Sequence, residues 1–395
     1  MVFNRERAVR LVHAEDLAGL MATTPENVFY LTGFWAPTTW RHRAREVYAL
    51  LPAATSDPPI LILPASLADV AAQHSIPATG VYLYGDFTYE GSGADRESAA
   101  LSDLLRRPWF NTAPEALVSA LKDRGVMAGR LGLDELRIAL SAIEAMRNAV
   151  PQISLVDAQQ LFRWIRMVKT PEEVERIGQA TAITEDGFKK ALILLRPGCT
   201  ELTLAEAYRA EVVRQGALPM LLCIGAGARS AFPNVQPSSY EIRRGDLVRF
   251  DIGCLYRNYH SDIARTAALG DPGLEARALY AAVQAGLGAA LSAIRPGNTA
   301  AYVFQEAIRG VEDAGIRPYR RPHCGHGEGL EGYDLPLLAP GDATALEPGM
   351  VLCVETPYYR LGFGGVHVEE TVVVTAGGYR MLSGLPQHLI EIDTA

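Results

Sequence analysis

The stretch FDIGCLYRNYHSDIARTA, residues 250–267, carries two aspartates in otherwise apolar or small-residue runs. Its composition is typical of two β-strands, and a turn through LYRNYH would join them into a hairpin. Because side chains alternate between the two faces of a strand, Asp251 shares a face with Gly253, and Asp262 shares a face with Ala264. The hairpin brings both carboxylates together. A carboxylate that faces a protein core is costly unless something pairs with it, so this stretch predicts a partner for the two aspartates.

Three later stretches each place a potential ligand among glycines or inside a β-rich run. These ligands are His326 in HCGHGEGLEGYDLP (323–336), Glu355 in GMVLCVETPYY (349–359) and Glu369 in FGGVHVEETVVV (363–374). Four of the eight histidines also lie between residues 260 and 367. Singly, each residue has an ordinary explanation, such as a turn carboxylate or a salt-bridge partner. The two aspartates and these three residues together, in this order and these contexts, indicate one site.

A pair of metal ions is the partner that physical chemistry favours. Four carboxylates packed together repel one another, and some of them would hold protons at neutral pH. Two divalent cations balance that charge. Carboxylates with one imidazole suit manganese, iron, cobalt or zinc, whereas a structural zinc site needs a thiolate spacing that the five cysteines lack. Two such ions would activate a bridging water and polarise a carbonyl group.

The chain divides near residue 165 into two predicted domains, 1–164 and 165–395. The first is predicted to be an α/β domain without a visible catalytic cluster. Its predicted strands are 27–34, 46–53 and 58–65. The second domain begins just before a long helix, for which Thr170 is the predicted N-cap, Pro171 the first helical residue and Glu173 the partner in a capping box.

The second domain contains a faint internal repeat. The stretches 196–217 and 295–316 share R-P-G-x-T, then E-A, then a closing glycine. Each R-P-G is typical of a turn, and Thr200 or Thr299 is the predicted cap of the helix that follows. We interpret the repeat as a duplicated helix-plus-strands unit. The alternative is a coincidence of two common turns.

Composition excludes several classes of protein. No run approaches the roughly 18 consecutive apolar residues of a membrane helix, and the N-terminus lacks the pattern of a secretory signal. The five cysteines are odd in number and form no C-x-x-C pair, which favours a reducing compartment. The net charge of −8 comes without a Lys/Arg block, so a nucleic-acid surface is not expected. We therefore expect a cytoplasmic globular protein without a nucleic-acid or membrane partner.

Four motifs together resemble those of the pita-bread metallohydrolases, the family of prolidase, aminopeptidase P, methionine aminopeptidase and creatinase. They are Y-x-S-D-x-x-R-T (259–266), G-H-G-x-G (325–329), V-E-T-P (354–357) and G-V-x-V-E-E-T (365–371). The resemblance covers nearly the whole chain. It implies an α/β (α+β) architecture, with a creatinase-type N-terminal α/β domain before a catalytic domain of curved antiparallel sheet, helices and pseudo-twofold symmetry.

The resemblance also implies a dinuclear metal centre, with manganese as the first choice and cobalt, zinc or iron as alternatives. His326 and Glu355 would hold one ion, Asp251 the other, and Asp262 and Glu369 would bridge them. Glu355 would also take the proton from the metal-bound water as general base. The resulting bridging hydroxide would cleave the C–N bond of an amide. Relatives of this type are usually homodimers.

The substrate-contacting positions depart from the Xaa-Pro peptidases of the family. Two histidines of those enzymes correspond to Asn234 and Tyr333, and an arginine two residues before the last glutamate corresponds to His367. Asparagine cannot shuttle a proton, and tyrosine, with a pKa of about 10, is a poor base but a fair donor. His367 shares a strand face with Glu369, so it is expected to point into the site. It either replaces a missing imidazole, a role for which His323 also qualifies, or orients Glu369.

Three functions are therefore open. The first is a dinuclear metallopeptidase that cleaves Xaa-Pro bonds of short peptides. The second is a metal-dependent hydrolase or lyase of a small non-peptide C–N or C–S substrate, which the three changed positions favour. The third is a binding protein without catalysis, although such relatives typically lose metal ligands and this chain keeps all five.

Overall fold

The structure, a computed structural model, describes residues 2–38, 46–53, 58–77, 80–91, 95–134 and 138–393. The chain divides into two compact units, Met1–Ile165 and Arg166–Ala395. Within the described ranges, no helix has the length and apolar character needed to cross a membrane.

The α-helices and β-strands alternate along the N-terminal unit and form two similar series in the C-terminal unit. The helices are α1 (Arg5–Ala14), α2 (Pro25–Thr32), α3 (Ala68–Gln73), α4 (Arg96–Leu105), α5 (Ala113–Asp123), α6 (Leu140–Ala149), α7 (Gln159–Met167), α8 (Pro171–Ile193), α9 (Glu201–Arg214), α10 (Gly273–Ala293) and α11 (Ala300–Asp313). The strands are β1 (Gly19–Ala22), β2 (Tyr48–Pro52), β3 (Ile60–Pro64), β4 (Val81–Tyr84), β5 (Trp109–Phe110), β6 (Ala128–Leu133), β7 (Gln152–Asp157), β8 (Leu218–Ala226), β9 (Leu247–Tyr256), β10 (Tyr259–His260), β11 (Ile263–Leu269), β12 (Gly325–Gly327), β13 (Asp334–Leu337), β14 (Val351–Glu355), β15 (Tyr358–Arg360), β16 (Gly364–Val366), β17 (Glu369–Thr375), β18 (Gly378–Met381) and β19 (Ile390–Ile392).

The N-terminal unit is built on a seven-stranded mixed sheet in the order β5-β4-β3-β2-β1-β6-β7. Strand β2 runs antiparallel to both of its neighbours, whereas the outer pairs are parallel. Strands β2 and β3 are almost wholly buried. They read as continuous apolar runs because both of their faces are covered.

The predicted strand at 27–34 is wrong, because these residues lie in helix α2 and the turn that ends it. The side chain of Thr24 accepts a hydrogen bond from the Asn27 N–H, Pro25 is the first helical residue, and Gly33 ends the helix with a φ of 76°. These helix start and stop signals outweigh the strand preference of the segment's β-branched and aromatic residues, so the segment forms a helix.

The C-terminal unit shows the duplication that the repeat predicts. A helix of 23 residues, α8, precedes the 14-residue α9, and a helix of 21 residues, α10, precedes the 14-residue α11. Thr200 and Thr299 cap α9 and α11, as predicted. Thr170 caps α8 and forms the predicted capping box with Glu173.

Each half of the C-terminal unit contributes one five-stranded sheet. The first half-sheet contains β10, β9, β11 and β19 with β8 paired to β9, and the second has the order β13-β12-β14-β17-β18. Every pairing is antiparallel except that of β11 with β19. Each half-sheet packs its own apolar core against its own pair of helices.

The opening stretch of the sequence folds as the expected hairpin. Strand β9 pairs with β10 and β11, and the turn between them passes through Arg257 and Asn258, which have φ values of 49° and 71°. Two consecutive residues with positive φ are the signature of a tight hairpin turn. Asp251 lies opposite Ala264 on β11, which places Asp262, just before β11, close to it.

The two half-sheets meet where β11 approaches β17. Thr266 Oγ1 donates a hydrogen bond of 3.0 Å to the His367 carbonyl and accepts one of 2.8 Å from the His367 N–H. Thr371 Oγ1 donates to the Asp262 carbonyl at 3.0 Å. Side chains therefore hold the two half-sheets in register at this junction, and the predicted ligands lie on either side of it.

Candidate metal centre

Three predicted ligands form a tight cluster at the junction of the half-sheets. One ligand atom from each of Asp262, His326 and Glu369 lies within 4.8 Å of the others. The Nε2 atom of His326 is 3.8 Å from Asp262 Oδ2. Glu355 stands directly opposite Glu369 in the pairing of β14 with β17. Strand alternation and register therefore direct residues from four separate sequence motifs toward one place.

The two remaining carboxylates lie beside arginine and histidine side chains. Arg249 Nη1 donates to Asp251 Oδ2 at 2.9 Å. For Glu355, His367 Nε2 lies at 3.1 Å, His323 Nδ1 at 3.2 Å and Arg321 Nη2 at 3.6 Å. His367 Nδ1 is also 3.8 Å from Asp251. His367 therefore points into the site as expected, and its contacts are with Asp251 and Glu355.

The pKa values of the carboxylates separate into two groups. Burial, together with the charges of Asp251, Glu328 and Glu355, raises the pKa of Asp262 well above its ordinary value. Burial and neighbouring carboxylates likewise raise the pKa of Glu369. Burial would also raise the pKa of Glu355, but contact with His367 and the charge of Arg321 outweigh it and lower that pKa to about 2. Without a cation the centre therefore carries an electrostatic cost on Asp262 and Glu369.

The donor set fits divalent metal ions. Asp262 Oδ1 is buried and has no hydrogen-bond partner among the described residues, so it is available as a ligand atom. His326 Nδ1 lies 3.0 Å from the Gly327 carbonyl, an arrangement that fixes the proton on Nδ1 and leaves the lone pair of Nε2 directed at Asp262. Burial lowers the pKa of His326, which keeps the ring neutral as a metal ligand requires.

The substrate-contacting candidates divide clearly. The ring of Tyr333 stacks on His326 with centroids 3.9 Å apart, and Tyr333 is 52% exposed. His323 packs edge-on against Tyr333 at 5.8 Å. Asn234, by contrast, is exposed, and the hydrogen bonds of the described residues give its side chain no link to the five ligands. The structure brings Tyr333, His323 and His367 to the centre, whereas Asn234 directly follows Pro233, whose carbonyl accepts a hydrogen bond from the Arg249 that also holds Asp251.

Three charged residues at the centre were not predicted. Arg249 shares a strand face with Asp251, so alternation along β9 could have identified it. Glu328 is fully buried one position beyond β12, where Cys353 Sγ donates to its Oε2 at 3.2 Å. In the sequence, Glu328 is recognisable as the acidic residue within the glycine-rich motif G-H-G-E-G. Arg321 lies in a loop before β12, and no local pattern in the sequence indicates that it reaches Glu355.

The family comparison agrees with this geometry. Residues 175–376 match metallopeptidase family M24, and residues 5–168 match the creatinase/prolidase N-terminal domain. The match to family M24 covers more than half of the chain. The centre and the fold define a pita-bread metallohydrolase, as the motifs predicted. The chain belongs to the metallopeptidase family M24.

Individual relatives lead to the same family. An Xaa-Pro dipeptidase of Pyrococcus furiosus is 34% identical over 246 residues, which cover 62% of this chain and 70% of the relative. The probable dipeptidase PepE of Mycobacterium tuberculosis is 28% identical over 399 residues, covering 100% and 98% of the two chains. The crystal structure of dipeptidase PepE from Mycobacterium ulcerans superposes with a TM-score of 0.78 at 27% identity and covers 98% of this chain and 96% of its own. The protein is thus a metal-dependent peptidase of this family, which implies divalent metal ions.

Proposed function

We propose that this protein is a dinuclear metal-dependent hydrolase that cleaves the amide bond of Xaa-Pro dipeptides. One observation carries the proposal: the carboxylates of Asp262 and Glu369, whose pKa values are raised by burial and by neighbouring carboxylates, cluster with the imidazole of His326 so that one ligand atom from each lies within 4.8 Å of the others. Such a donor set has little stability of its own and gains it from cations. The names of the relatives, Xaa-Pro dipeptidase and probable dipeptidase, support the substrate.

Five residues would hold the ions. Asp262 and Glu369 would bridge the two ions. Asp251 would be the further ligand of one ion, and His326 and Glu355 would be the further ligands of the other. Divalent ions held there supply a water of lowered pKa as nucleophile and polarise the scissile carbonyl. Manganese is our first choice among the metals, because hard and borderline divalent ions suit this donor set.

The protein's own side chains would handle the proton and orient the substrate. Glu355 is ionised because contact with His367 and the charge of Arg321 lower its pKa, and as the carboxylate beside the ions it would accept a proton from the attacking water. His367 Nε2 lies 3.1 Å from Glu355 and would orient that carboxylate, whereas His323 Nδ1, at 3.2 Å from Glu355, accepts a hydrogen bond from the Gly325 N–H. Tyr333, stacked on His326, presents its hydroxyl as a donor to a substrate oxygen.

The ring of Tyr333 favours a second function, the hydrolysis of a small non-peptide amide or amine. It lies flat against His326, at the position where the Xaa-Pro peptidases have a histidine. A bulkier ring without a titratable nitrogen narrows the approach to the ions, which suits a small non-peptide amide or amine. The metal chemistry is the same in both cases, and the two functions differ in the substrate alone.

A substrate panel separates the two functions. The protein, loaded with manganese, cobalt, zinc or iron, is given Ala-Pro, Gly-Pro and Leu-Pro, beside small non-peptide amides, with the bound metal measured by mass spectrometry. We expect metal-dependent release of proline from the dipeptides. Two bound ions with no proline released would refute the Xaa-Pro substrate and retain the hydrolase. Failure to retain metal would refute both and leave a binding protein.

A further inference from the structure

The loop between β12 and β13 joins a proposed metal ligand to a substrate-facing side chain. It runs from Glu328 to Tyr333, directly after the strand that holds His326. Tyr333 folds back over that strand, and its ring lies on the ring of His326 with centroids 3.9 Å apart and planes 20° apart. The path of this short loop therefore decides where a half-exposed aromatic ring stands beside the centre.

One arginine holds both ends of the segment that carries Tyr333. The Nη2 atom of Arg166 donates to Glu331 Oε1 at 2.7 Å and to Asp334 Oδ1 at 2.9 Å. A guanidinium Nη atom carries two hydrogens, so this single nitrogen serves both carboxylates. The two carboxylates are thereby kept close to each other, which closes the turn at Gly332 and Tyr333 between them. We call this arrangement the Arg166 clamp.

The two arms of the Arg166 clamp differ in burial. The side chains of Arg166 and Asp334 are buried, and the buried Lys169 Nζ lies 3.3 Å from Asp334 Oδ2. Burial would raise the pKa of Asp334, but the charges of Arg166 and Lys169 outweigh it and lower that pKa. Glu331, in contrast, is 43% exposed. Loss of one partner of a buried pair is strongly destabilising, whereas an exposed partner such as Glu331 can be removed at little cost to folding.

The first part of the loop packs directly on the same buried ions. A Cβ atom on Gly329 would collide with Asp334 Oδ2 and would lie 3.0 Å from Lys169 Cε. The Gly329 carbonyl also accepts a hydrogen bond of 2.9 Å from the His260 N–H. The start of the loop is therefore fixed by the core, and its end is fixed by the Arg166 clamp.

We propose that Arg166 is a positioning residue for Tyr333 and, through it, for the substrate. The inference rests on the proposed function, because it concerns the substrate of the same centre. The Arg166 clamp keeps the ring of Tyr333 flat on His326, so that its hydroxyl has one place relative to the ions. Arg166 is buried and acts through Glu331 and the turn, without touching the substrate itself.

The test removes the exposed arm of the Arg166 clamp in the full-length protein. The variant is Glu331→Gln, and its matched control is Glu391→Gln, because Glu391 is 40% exposed and forms an ion pair of the same length, 2.7 Å, with Arg277. A further variant, Arg166→Lys, keeps the charge but loses the planar fork of donors. The metal content of each variant shows whether the centre is intact.

Two measurements follow the ring and the substrate separately. Fluorine NMR of 3-fluorotyrosine placed at position 333 reports the surroundings of the ring, in protein loaded with diamagnetic zinc, independently of catalysis. Steady-state kinetics with Ala-Pro, in manganese-loaded protein, gives KM and kcat for each variant. The kinetics is repeated in a Tyr333→Ala background, because a residue that acts through Tyr333 loses its effect when that ring is absent.

We expect Glu331→Gln to raise KM for Ala-Pro roughly fivefold, with kcat and metal content unchanged. It should also move the fluorine resonance toward its position in the urea-unfolded chain. Arg166→Lys should produce larger changes in the same direction, and Glu391→Gln should match the wild type in both measurements. In the Tyr333→Ala background, Glu331→Gln should leave KM unchanged.

Two results would overturn the inference. One is a fluorine resonance that Glu331→Gln leaves as unchanged as Glu391→Gln does. The other is a rise in KM that Glu331→Gln still causes, undiminished, in the Tyr333→Ala background, because the ion pair would then support the fold without acting through the ring. If the wild type does not hydrolyse Ala-Pro, the proposed function fails, and the fluorine resonance still decides whether Arg166 positions Tyr333.

Discussion

Replacement of Asp262 by asparagine should stabilise the metal-free protein and remove its stabilisation by metal. In the metal-free state, burial and neighbouring carboxylates raise the pKa of Asp262. Each unit by which a folded-state pKa exceeds the unfolded value of about 3.9 costs about 1.4 kcal/mol of stability at higher pH. The neutral amide removes that cost. We expect the metal-free variant to be more stable than the wild type at pH 8, with a higher Tm.

The stability that the metal-free Asp262→Asn variant gains over the wild type should depend on pH in a defined direction. Because the pKa of Asp262 is raised by folding, the wild type loses stability as pH rises above the unfolded value of about 3.9. Below that value the carboxyl is protonated in both states, and the variant loses its advantage. Saturating metal should reverse the order, since the wild type gains about 2.7 kcal/mol at an ion concentration one hundred times Kd, whereas the variant lacks the proposed bridging ligand.

Thermal unfolding at pH 5 and pH 8, with a chelator or with manganese, tests this reasoning. The matched control is Asp313→Asn, since the side chain of Asp313 on α11 is 64% exposed and should change nothing in any condition. A chelated Asp262→Asn protein that is less stable than the wild type at pH 8 would refute the repulsion argument. An equal rise in Tm with manganese for both proteins would refute the ligand role.

Three further predictions concern residues around the centre. Arg249→Met should cost at least about 3 kcal/mol in urea denaturation, because it leaves the Asp251 carboxylate and three carbonyls without their donor; a loss below 1 kcal/mol would contradict this. His367→Gln should lower kcat by roughly ten- to a hundredfold with metal content retained, and an unchanged kcat would show that its contact with Glu355 is incidental. Burial raises the pKa of Glu173 to about 7 from 4.5. Between pH 4.5 and pH 8 the wild type should therefore lose about 3 kcal/mol of folding stability relative to Glu173→Gln. A stability difference between the two proteins that does not change with pH would contradict the shift.

The convergence of the five proposed metal ligands could be anticipated from the sequence because each lies where a short-range rule applies. Asp251 lies on β9 and Asp262 directly precedes β11 of the same hairpin, where alternation fixes the face of Asp251 and the turn brings the two segments together. His326, Glu355 and Glu369 are in β-rich or glycine-rich stretches whose register follows from neighbouring strands. Local sequence therefore determines where these side chains point.

The remaining features depend on contacts that local sequence does not report. Arg321 reaches Glu355 from a loop whose path is set by tertiary packing, and Asn234 lies in another such loop. The error at 27–34 has a different origin, because Thr24, Pro25 and Gly33 are readable signals that we weighed below β-branched content. Capping and a left-handed terminus outweigh weak strand preferences over a segment this short.

The junction of the half-sheets has a consequence for how the protein acquires its metal. Asp251 and Asp262 come from the first half of the duplicated unit, and His326, Glu355 and Glu369 from the second. Neither half alone carries the full set, so an incompletely folded chain offers only fragments of a binding site. Newly made chains should therefore take up metal only after both halves have docked. Until metal binds, carboxylate repulsion destabilises the folded apoprotein. Metal binding would then be a late step that occurs in fully folded molecules and not in folding intermediates.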